Sequence, residues 1–261
     1  MLRIDIESKS RYQKLKERVI IKDIHLKLEP GTSTLVLGTS GAGKSTVISC
    51  ITGNTRFRGK VKHDKKSRIA YIAQHPALNM DETVYEAVYY SGKYDHPGVS
   101  GKHVQDETER LMDMLGLENI RHNKIKNISG GQLKRTAIAC ELIRKTDILI
   151  MDEPDSGLDA GVAWRLSEHI CDLTHRENKI TLVISHNTTN INHYDNLLVL
   201  AKDSDNAGSV CFFGSPKEAL SWFSVSEYHE ILLKINSEED EGYGLGPSYI
   251  NKYKKENFRI I

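Results

Sequence analysis

Hydrophobic and polar residues alternate along two stretches near the start of the chain. Residues 2–7 read LRIDIE and residues 24–28 read IHLKL. Strict alternation places every second side chain on the same face, so both stretches are predicted to be half-buried β-strands. Three later runs are apolar without alternation, which is typical of strands buried on both faces. These runs are residues 35–37, 148–151 and 180–184, and a further strand is predicted at 68–72.

Helical patterns separate these strands. In residues 103–116 apolar side chains recur at helical spacing, and residues 162–173 repeat this amphipathic pattern. Residues 82–92 and 131–144 are predicted helices as well. Strands that alternate with helices predict an α/β fold with a mostly parallel sheet covered on both faces. The alternation ends in a predicted antiparallel pair of strands around the polar turn 202–209.

One stretch breaks the alternation of strands and helices. Residues 76–130 are polar and helical in pattern, which predicts a helical subdomain inserted into a first domain spanning residues 1–225. After Val225 the composition changes to an acidic patch at 238–241, then glycines, then basic residues. We assign no chemistry to this tail, residues 226–261, because a charged run is usually solvated surface.

Composition excludes several classes of protein. The chain of 261 residues is 39% hydrophobic and 27% charged, with 36 basic and 35 acidic residues, so overall charge gives no support to nucleic-acid binding. No apolar stretch approaches the roughly 18–20 residues of a membrane span, and the N-terminal stretch lacks the apolar core of a signal peptide. We expect a cytoplasmic protein that reaches a membrane only by docking onto a spanning partner. Its four widely spaced cysteines, with no C-x-x-C pair, fit reduced thiols; they are Cys50, Cys140, Cys171 and Cys211.

The string GTSGAGKST at residues 38–46 carries the most specific chemistry. It fits the phosphate-binding pattern G-x-x-x-x-G-K-[ST], in which glycines let backbone N–H groups surround a polyphosphate. We expect Lys44 to reach the β- and γ-phosphates of ATP and Ser45 to hold Mg²⁺. A Gly-rich turn of no function is the alternative, but a buried strand before the loop and a helix after it argue against that. The candidate nucleotide-binding residues are Gly38, Thr39, Ser40, Gly41, Ala42, Gly43, Lys44, Ser45 and Thr46.

Two further motifs follow. The first, ISGGQ at 128–132, precedes a predicted helix and offers a hydroxyl and free amides suited to a phosphate. Alone, it could be an ordinary capped helix start. The second motif is a buried strand that ends in Asp152 and Glu153, at the edge where open α/β sheets bind ligands. The binding candidates in the first motif are Ser129, Gly130, Gly131 and Gln132.

Together these motifs resemble the ATP-binding subunit of an ABC (ATP-binding cassette) transporter. The resemblance covers about residues 15–225 and implies a P-loop NTPase fold of the RecA-like type. Its motifs occur in the family's order. They are the phosphate loop, Gln74 at a strand end, the ISGGQ signature, Asp152-Glu153-Pro154, the Ser156-Gly157-Leu158-Asp159 loop and Ser185-His186. The surrounding strings SGGQLKR and DEPDSGLD look most like the G-type branch and its bacterial exporter relatives.

The resemblance implies a role for each matching residue. Asp152 holds Mg²⁺ through water, Glu153 polarises the attacking water, and Gln74 contacts the metal and that water. His186 hydrogen-bonds the γ-phosphate, and Asp159 lies in a loop that crosses a dimer interface. Taken alone, His186 reads as a surface histidine, Gln74 as a loop residue and the carboxylates as a salt-bridged strand end.

Two positions depart from the family pattern. The family has threonine or a small residue where this chain has Asp155, which adds negative charge near the site. An aromatic residue usually stacks on adenine. Tyr12 lies at a plausible distance before the phosphate loop, but it reads equally well as a surface tyrosine on a basic arm.

The family implies a second ATPase subunit, identical or different, arranged head to tail. ATP at Lys44 of one subunit is then capped by Ser129 and Gly131 of the other. A membrane-spanning permease subunit is the other implied partner, docked near residues 76–95, where Tyr85, Tyr89 and Tyr90 belong to the contact surface or to the packing. This places the chain on the cytoplasmic face of the membrane. No nucleic acid is expected as a partner.

Two other functions stay open at this stage. One is a soluble ABC ATPase outside transport. Only about 85 residues without heptads separate Lys44 from Ser129, which excludes chromosome and repair types, and a single ATPase domain excludes translation types, but not a cluster-assembly ATPase. The other is a nucleotide-binding scaffold without hydrolysis, against which intact Lys44, Asp152, Glu153 and His186 argue. The signature excludes a P-loop kinase or GTPase. The transported substrate and its direction depend on the membrane subunit.

Overall fold

The computed structural model describes residues 1–13, 16–74, 76–95, 98–237, 239 and 241–257. These residues form nine strands and eight α-helices. The strands are β1 (Leu2–Gln13), β2 (Lys16–Leu28), β3 (Thr32–Gly38), β4 (Arg58–Lys62), β5 (Ile69–Ile72), β6 (Ile148–Asp152), β7 (Ile180–Ile184), β8 (Asn196–Lys202) and β9 (Gly208–Gly214). The helices are α1 (Lys44–Ile51), α2 (Val84–Asp95), α3 (Gly101–Met114), α4 (Gly130–Leu142), α5 (Ala160–Arg176), α6 (Pro216–Phe223), α7 (Tyr228–Ile235) and α8 (Gly246–Asn257).

All nine strands belong to one mixed sheet in the order β4-β1-β2-β9-β8-β3-β7-β6-β5. The pairs among β8, β3, β7, β6 and β5 are parallel. The pairs β1–β2, β1–β4 and β8–β9 are antiparallel. This confirms the predicted α/β fold with a mostly parallel sheet and an antiparallel part. Helices α2 to α4 lie between β5 and β6 in the chain.

The central strands are buried on both faces, which explains their continuous apolar sequence. Every residue of β6 and β7 is buried. Because side chains alternate along a strand, Leu149 and Met151 pack with the layer that contains α2 to α5. Ile148 and Ile150 pack on the opposite side with α1 and the hairpin of β1 and β2.

Three strands differ from the predicted pattern, and one of them, β2, was predicted over 24–28 but begins at Lys16. The alternation predicted β1 only to residue 7, but it continues to Gln13 and pairs along its length with β2. The short edge strand β4, with sequence RGKVK, is absent from the prediction because four of its five residues are exposed. An exposed, charged edge strand carries no hydrophobic period that a sequence could display.

The C-terminal residues that carry no assigned chemistry include two helices packed on the sheet. In α8, Tyr253 is buried and meets the Trp222 ring edge to face at 6.3 Å between centroids. The Lys254 ammonium lies 2.6 Å from the Asp23 carboxylate at the start of the chain. Glu238 and Asp240 of the predicted acidic patch lie outside the described residues.

No helix in the described part of the chain is both long enough and apolar enough to cross a membrane.

Candidate nucleotide-binding site

The phosphate loop joins the end of β3 to the start of α1. Gly41 and Gly43 have φ values of +70° and +85°, a region that side-chain-bearing residues rarely occupy. A Cβ atom on Gly43 would lie 2.1 Å from Ile21 Cγ2. Backbone conformation and packing therefore both require glycine at this position, as the motif predicts.

Lys44 is buried beneath the loop that precedes it. Its ammonium donates to the carbonyl oxygens of Gly38 at 2.8 Å and Thr39 at 3.2 Å. Burial lowers the pKa of Lys44, and the nearby carboxylates of Glu153 and Asp152 act in the opposite direction. An ammonium has three donors, so one is left for an anion. The buried Thr39 hydroxyl has no hydrogen-bond partner among the described residues, which also fits a ligand in the loop.

Ser45 and Asp152 bring two oxygen atoms together beside the loop. Ser45 Oγ donates to Asp152 Oδ2 at 3.2 Å, and the Tyr71 hydroxyl reaches the same carboxylate oxygen at 3.5 Å. Asp152 is the last residue of β6, so the sheet delivers its carboxylate to this edge. Hydroxyl and carboxylate oxygens are the ligands that Mg²⁺ prefers, and the residue pair fits that ion.

Glu153 lies immediately after β6 with a φ of +50°. Its carboxylate accepts a hydrogen bond from Gln74 Nε2 at 2.8 Å, and His186 Nε2 lies 3.2 Å from the other carboxylate oxygen. The structure therefore brings three of the predicted catalytic side chains into direct contact, although their motifs are far apart in the chain. Gln74 contacts Glu153 here rather than Ser45 or Asp152.

The ISGGQ signature lies at the start of α4, and its polar side chains form hydrogen bonds within the signature itself. Ser129 Oγ accepts from the Gln132 amide at 3.3 Å, and Gln132 Oε1 accepts from the Ser129 amide at 2.9 Å. Gly131 lies beside Gly157, whose carbonyl oxygen would be 3.6 Å from an added Cβ. Within the described ranges, no hydrogen bond joins the signature to the phosphate loop or to Glu153. Asp159 caps α5 by accepting from the Val162 amide at 2.9 Å.

Lys134 escaped sequence reasoning, and Asp155 was singled out only as a departure from the family pattern. Lys134 of α4 is 5% exposed, and its ammonium donates to the Glu153 carbonyl oxygen. Burial lowers the pKa of Lys134, while Asp155, Glu153 and Asp152 act to raise it. Asp155, where the chain departs from the family, accepts from Ser185 Oγ at 2.6 Å and so links this loop to the end of β7.

A cavity of about 240 Å³ adjoins the phosphate loop at Gly41. Arg11 and Arg18, which face each other across the β1–β2 hairpin, line it together with Ile20 and Asn206. The Lys202 ammonium also lies at Gly41, because a Cβ there would be 3.3 Å from its Nζ.

Tyr12 does not line this cavity and is 76% exposed. The sequence shows that the hairpin is basic. It does not predict that the hairpin lies beside the phosphate loop.

The chain is similar in sequence and in fold to proteins of a known family. The ABC transporter family model matches residues 21–156, just over half of the chain, including the phosphate loop, the signature and both carboxylates. The methionine import ATP-binding protein MetN of Aliivibrio fischeri is 31% identical over 268 residues, which cover 96% of this chain and 76% of MetN. ABC transporter G family member 6 of Dictyostelium discoideum is 30% identical over 234 residues, covering 82% of this chain and 15% of that protein.

The chain spans less than half the length of the first curated relatives that it matches. Among solved structures, the dimeric post-hydrolysis state of the ATP-binding cassette MJ0796 bound to ADP and Pi superposes with a TM-score of 0.71 at 21% identity. The superposition covers 82% of this chain and 98% of MJ0796. At that identity it establishes the fold alone.

Proposed function

This chain belongs to the ABC transporter family, and on that premise we propose that it is the ATP-hydrolysing subunit of a transporter. It binds MgATP, pairs head to tail with a second copy of itself, and powers substrate movement through a separate membrane-spanning subunit. The observation that carries the proposal is the position of Glu153. Its carboxylate lies at the end of β6 between Gln74 and His186, and the preceding residue, Asp152, accepts a hydrogen bond from Ser45 of the phosphate loop.

The nucleotide is held by the phosphate loop. Residues 38–46 supply backbone N–H groups, and the positive end of α1 faces the phosphates. The spare donor of the Lys44 ammonium pairs with the terminal phosphates. The cavity at Gly41 receives the remainder of the nucleotide, where the Arg11 and Arg18 guanidinium groups offer flat cationic surfaces for a base.

Ser45 and Asp152 would hold Mg²⁺, which neutralises phosphate charge when bound. Their oxygen atoms already share one hydrogen bond, so little rearrangement separates this geometry from a ligating one. Gln74 would join these ligands only after leaving its present hydrogen bond with Glu153.

Glu153 acts on the attacking water. Gln74 and His186 fix its carboxylate, and Lys134 fixes its backbone, so the carboxylate accepts a hydrogen bond from water in one orientation. His186 faces the same point and stabilises charge on the γ-phosphate. Hydrolysis then removes the terminal phosphate contacts that close the site.

The second copy completes the site. Ser129 and Gly130 are exposed, and the Gly131 amide lies beside them at the start of α4. A signature that, within the described residues, forms no hydrogen bond with its own phosphate loop is available to cap the nucleotide of another chain, with Asp159 near the crossing. MJ0796, which has the same fold, is dimeric with ADP and Pi.

The transporter role draws its support from the relatives. The relatives include a methionine import ATP-binding protein and G-family transporters, which favours transport over cluster assembly. We propose docking of the permease on the inserted helical subdomain, residues 76–130, where Tyr90 and Tyr94 of α2 are exposed. The ATPase domain is residues 1–225, at the cytoplasmic face of the membrane, and residues 226–261 follow it.

Glu153→Gln tests the catalytic assignment. A glutamine keeps the size of the side chain but is a much weaker proton acceptor, so ATP turnover should fall by about 10²-fold or more. Nucleotide binding should persist, and dimers should accumulate with MgATP, as measured by sedimentation velocity. Glu168→Gln on the exposed face of α5 is the matched control and should retain full turnover. Full turnover in the Glu153→Gln protein would refute the assignment.

A further inference from the structure

A second cavity, of about 650 Å³, lies away from the phosphate loop between α3, α4 and α5. Its size falls within the range of small-molecule sites. Each of the three helices contributes one arginine to its lining, namely Arg110 from α3, Arg135 from α4 and Arg165 from α5. His169 and two carboxylates, Asp113 and Asp159, complete its ionisable groups.

Some of these groups are already engaged, but two arginines are not. Arg110 makes a two-pronged contact with Glu107 on its own helix, at 2.6 and 2.9 Å. Asp159 caps α5. Arg135 and Arg165 make no side-chain hydrogen bond or ion pair with any described residue, and Arg135 Nε is buried without a partner.

A buried donor without an acceptor is costly and normally has a partner. The acceptor that suits a planar guanidinium is a phosphate or carboxylate that accepts two parallel hydrogen bonds. The volume exceeds that of a lone phosphate and leaves room for an attached organic group. Two free guanidinium groups on different helices favour the higher charge of a phosphate ester over a carboxylate.

We propose that this cavity binds a phosphorylated small molecule, with its phosphate held by Arg135 and Arg165. The site does not depend on the ATPase function proposed above. Arg135 lies six residues after Ser129 in α4, and Arg165 lies six residues after Asp159. A ligand here bridges the helix that carries the signature to the helix that Asp159 begins.

The test uses inorganic pyrophosphate as the probe and the full chain carrying Lys44→Ala, with EDTA present, so that the phosphate loop contributes little. Isothermal titration calorimetry should still detect one site. Adding Arg165→Gln or Arg135→Gln should weaken that binding by about tenfold or more, because each change removes hydrogen bonds to a charged group. Arg165 is exposed, so its variant should fold even if the Arg135 variant does not.

Two further variants sharpen the result. Arg176→Gln removes the same charge from the exposed end of α5, outside the cavity, and should leave binding unchanged. Asp113→Asn removes a repelling carboxylate from the lining and should tighten binding. The proposal is overturned if the Lys44→Ala chain does not bind pyrophosphate, or if the Arg165→Gln and Arg176→Gln variants bind it equally.

Discussion

Gly43 shows how much of the site depends on single backbone positions. Its φ of +85° turns the chain into α1, and the Ile21 side chain occupies the space where a Cβ would lie. Gly53, at the other end of α1, has a similar φ of +73° but no atom within 4 Å of an added Cβ. Comparing alanine substitutions at the two glycines therefore separates the cost of a left-handed backbone from the cost of a steric clash.

Gly43→Ala should lower the free energy of unfolding by about 3 kcal/mol, from a left-handed backbone penalty plus an overpacking penalty. It should also abolish nucleotide binding. Gly53→Ala carries only the backbone penalty, about 1–2 kcal/mol, and should leave binding intact. Urea unfolding and nucleotide titration give both quantities. Equal losses of stability in the two variants would contradict the packing seen at Ile21.

At the scale of the element, α4 connects the signature to Glu153, the residue proposed to be catalytic. The helix begins at the Ser129 cap. One turn later, the Lys134 ammonium donates a hydrogen bond to the carbonyl oxygen of Glu153. Glu153 has a positive φ that a non-glycine residue keeps only when its surroundings hold it. Lys134 therefore ties the signature helix to the backbone of the residue that bears this carboxylate.

Lys134→Met keeps the bulk of the side chain and removes the ammonium. We expect kcat to fall by about 10- to 100-fold, because small displacements of a catalytic group have effects of that order. KM for ATP should change little, since Lys134 lies outside the phosphate loop. Lys145→Met, an exposed change shortly after α4, is the control. A raised KM with unchanged kcat would show that Lys134 serves binding rather than positioning.

At the scale of the molecule, the C-terminal helices close one side of the sheet. Tyr253 is 8% exposed, and burial raises the pKa of its hydroxyl to about 12. Lys252 lies over the Trp222 ring at 3.9 Å and Lys254 pairs with Asp23, so α8 ties the end of the described chain to its beginning.

Tyr253→Ala should therefore lower the free energy of unfolding by about 3 kcal/mol, as expected for removing a buried aromatic ring. Tyr12→Ala, which removes an exposed ring, should change it by less than about 0.5 kcal/mol. Chemical denaturation followed through the fluorescence of Trp164 and Trp222 measures both. A Tyr253 variant as stable as the wild-type chain would mean that α8 is not part of the folded unit.

The sequence predicts the parts of this molecule that have a period or a fixed spacing. Glu153 and His186 meet because β6 and β7 are adjacent parallel strands. Both strands were predicted from their continuous apolar sequence. The contacts of Lys134 and Arg135 could not be predicted. Nothing in the local sequence distinguishes a side chain that is buried against distant residues from one that points into water. Arg11 was visible only as part of a basic arm, because its approach to Gly41 depends on how two distant strands pair.

The most direct measurement of the central claim is activity restored by mixing two inactive forms of the chain. One form carries Lys44→Ala and Glu153→Gln with an intact signature. The other carries Ser129→Arg, a change at an exposed helix cap, with an intact phosphate loop. Circular dichroism should first confirm that both are folded.

If each site takes its phosphate loop from one copy and its signature from the other, an equimolar mixture contains dimers with one complete site. Random pairing then predicts about a quarter of the wild-type ATPase rate per chain. Adding Ser129→Arg to the first form as well should abolish the recovery. A mixture as inactive as its folded components, or full activity in the Ser129→Arg form alone, would contradict a site shared between two copies.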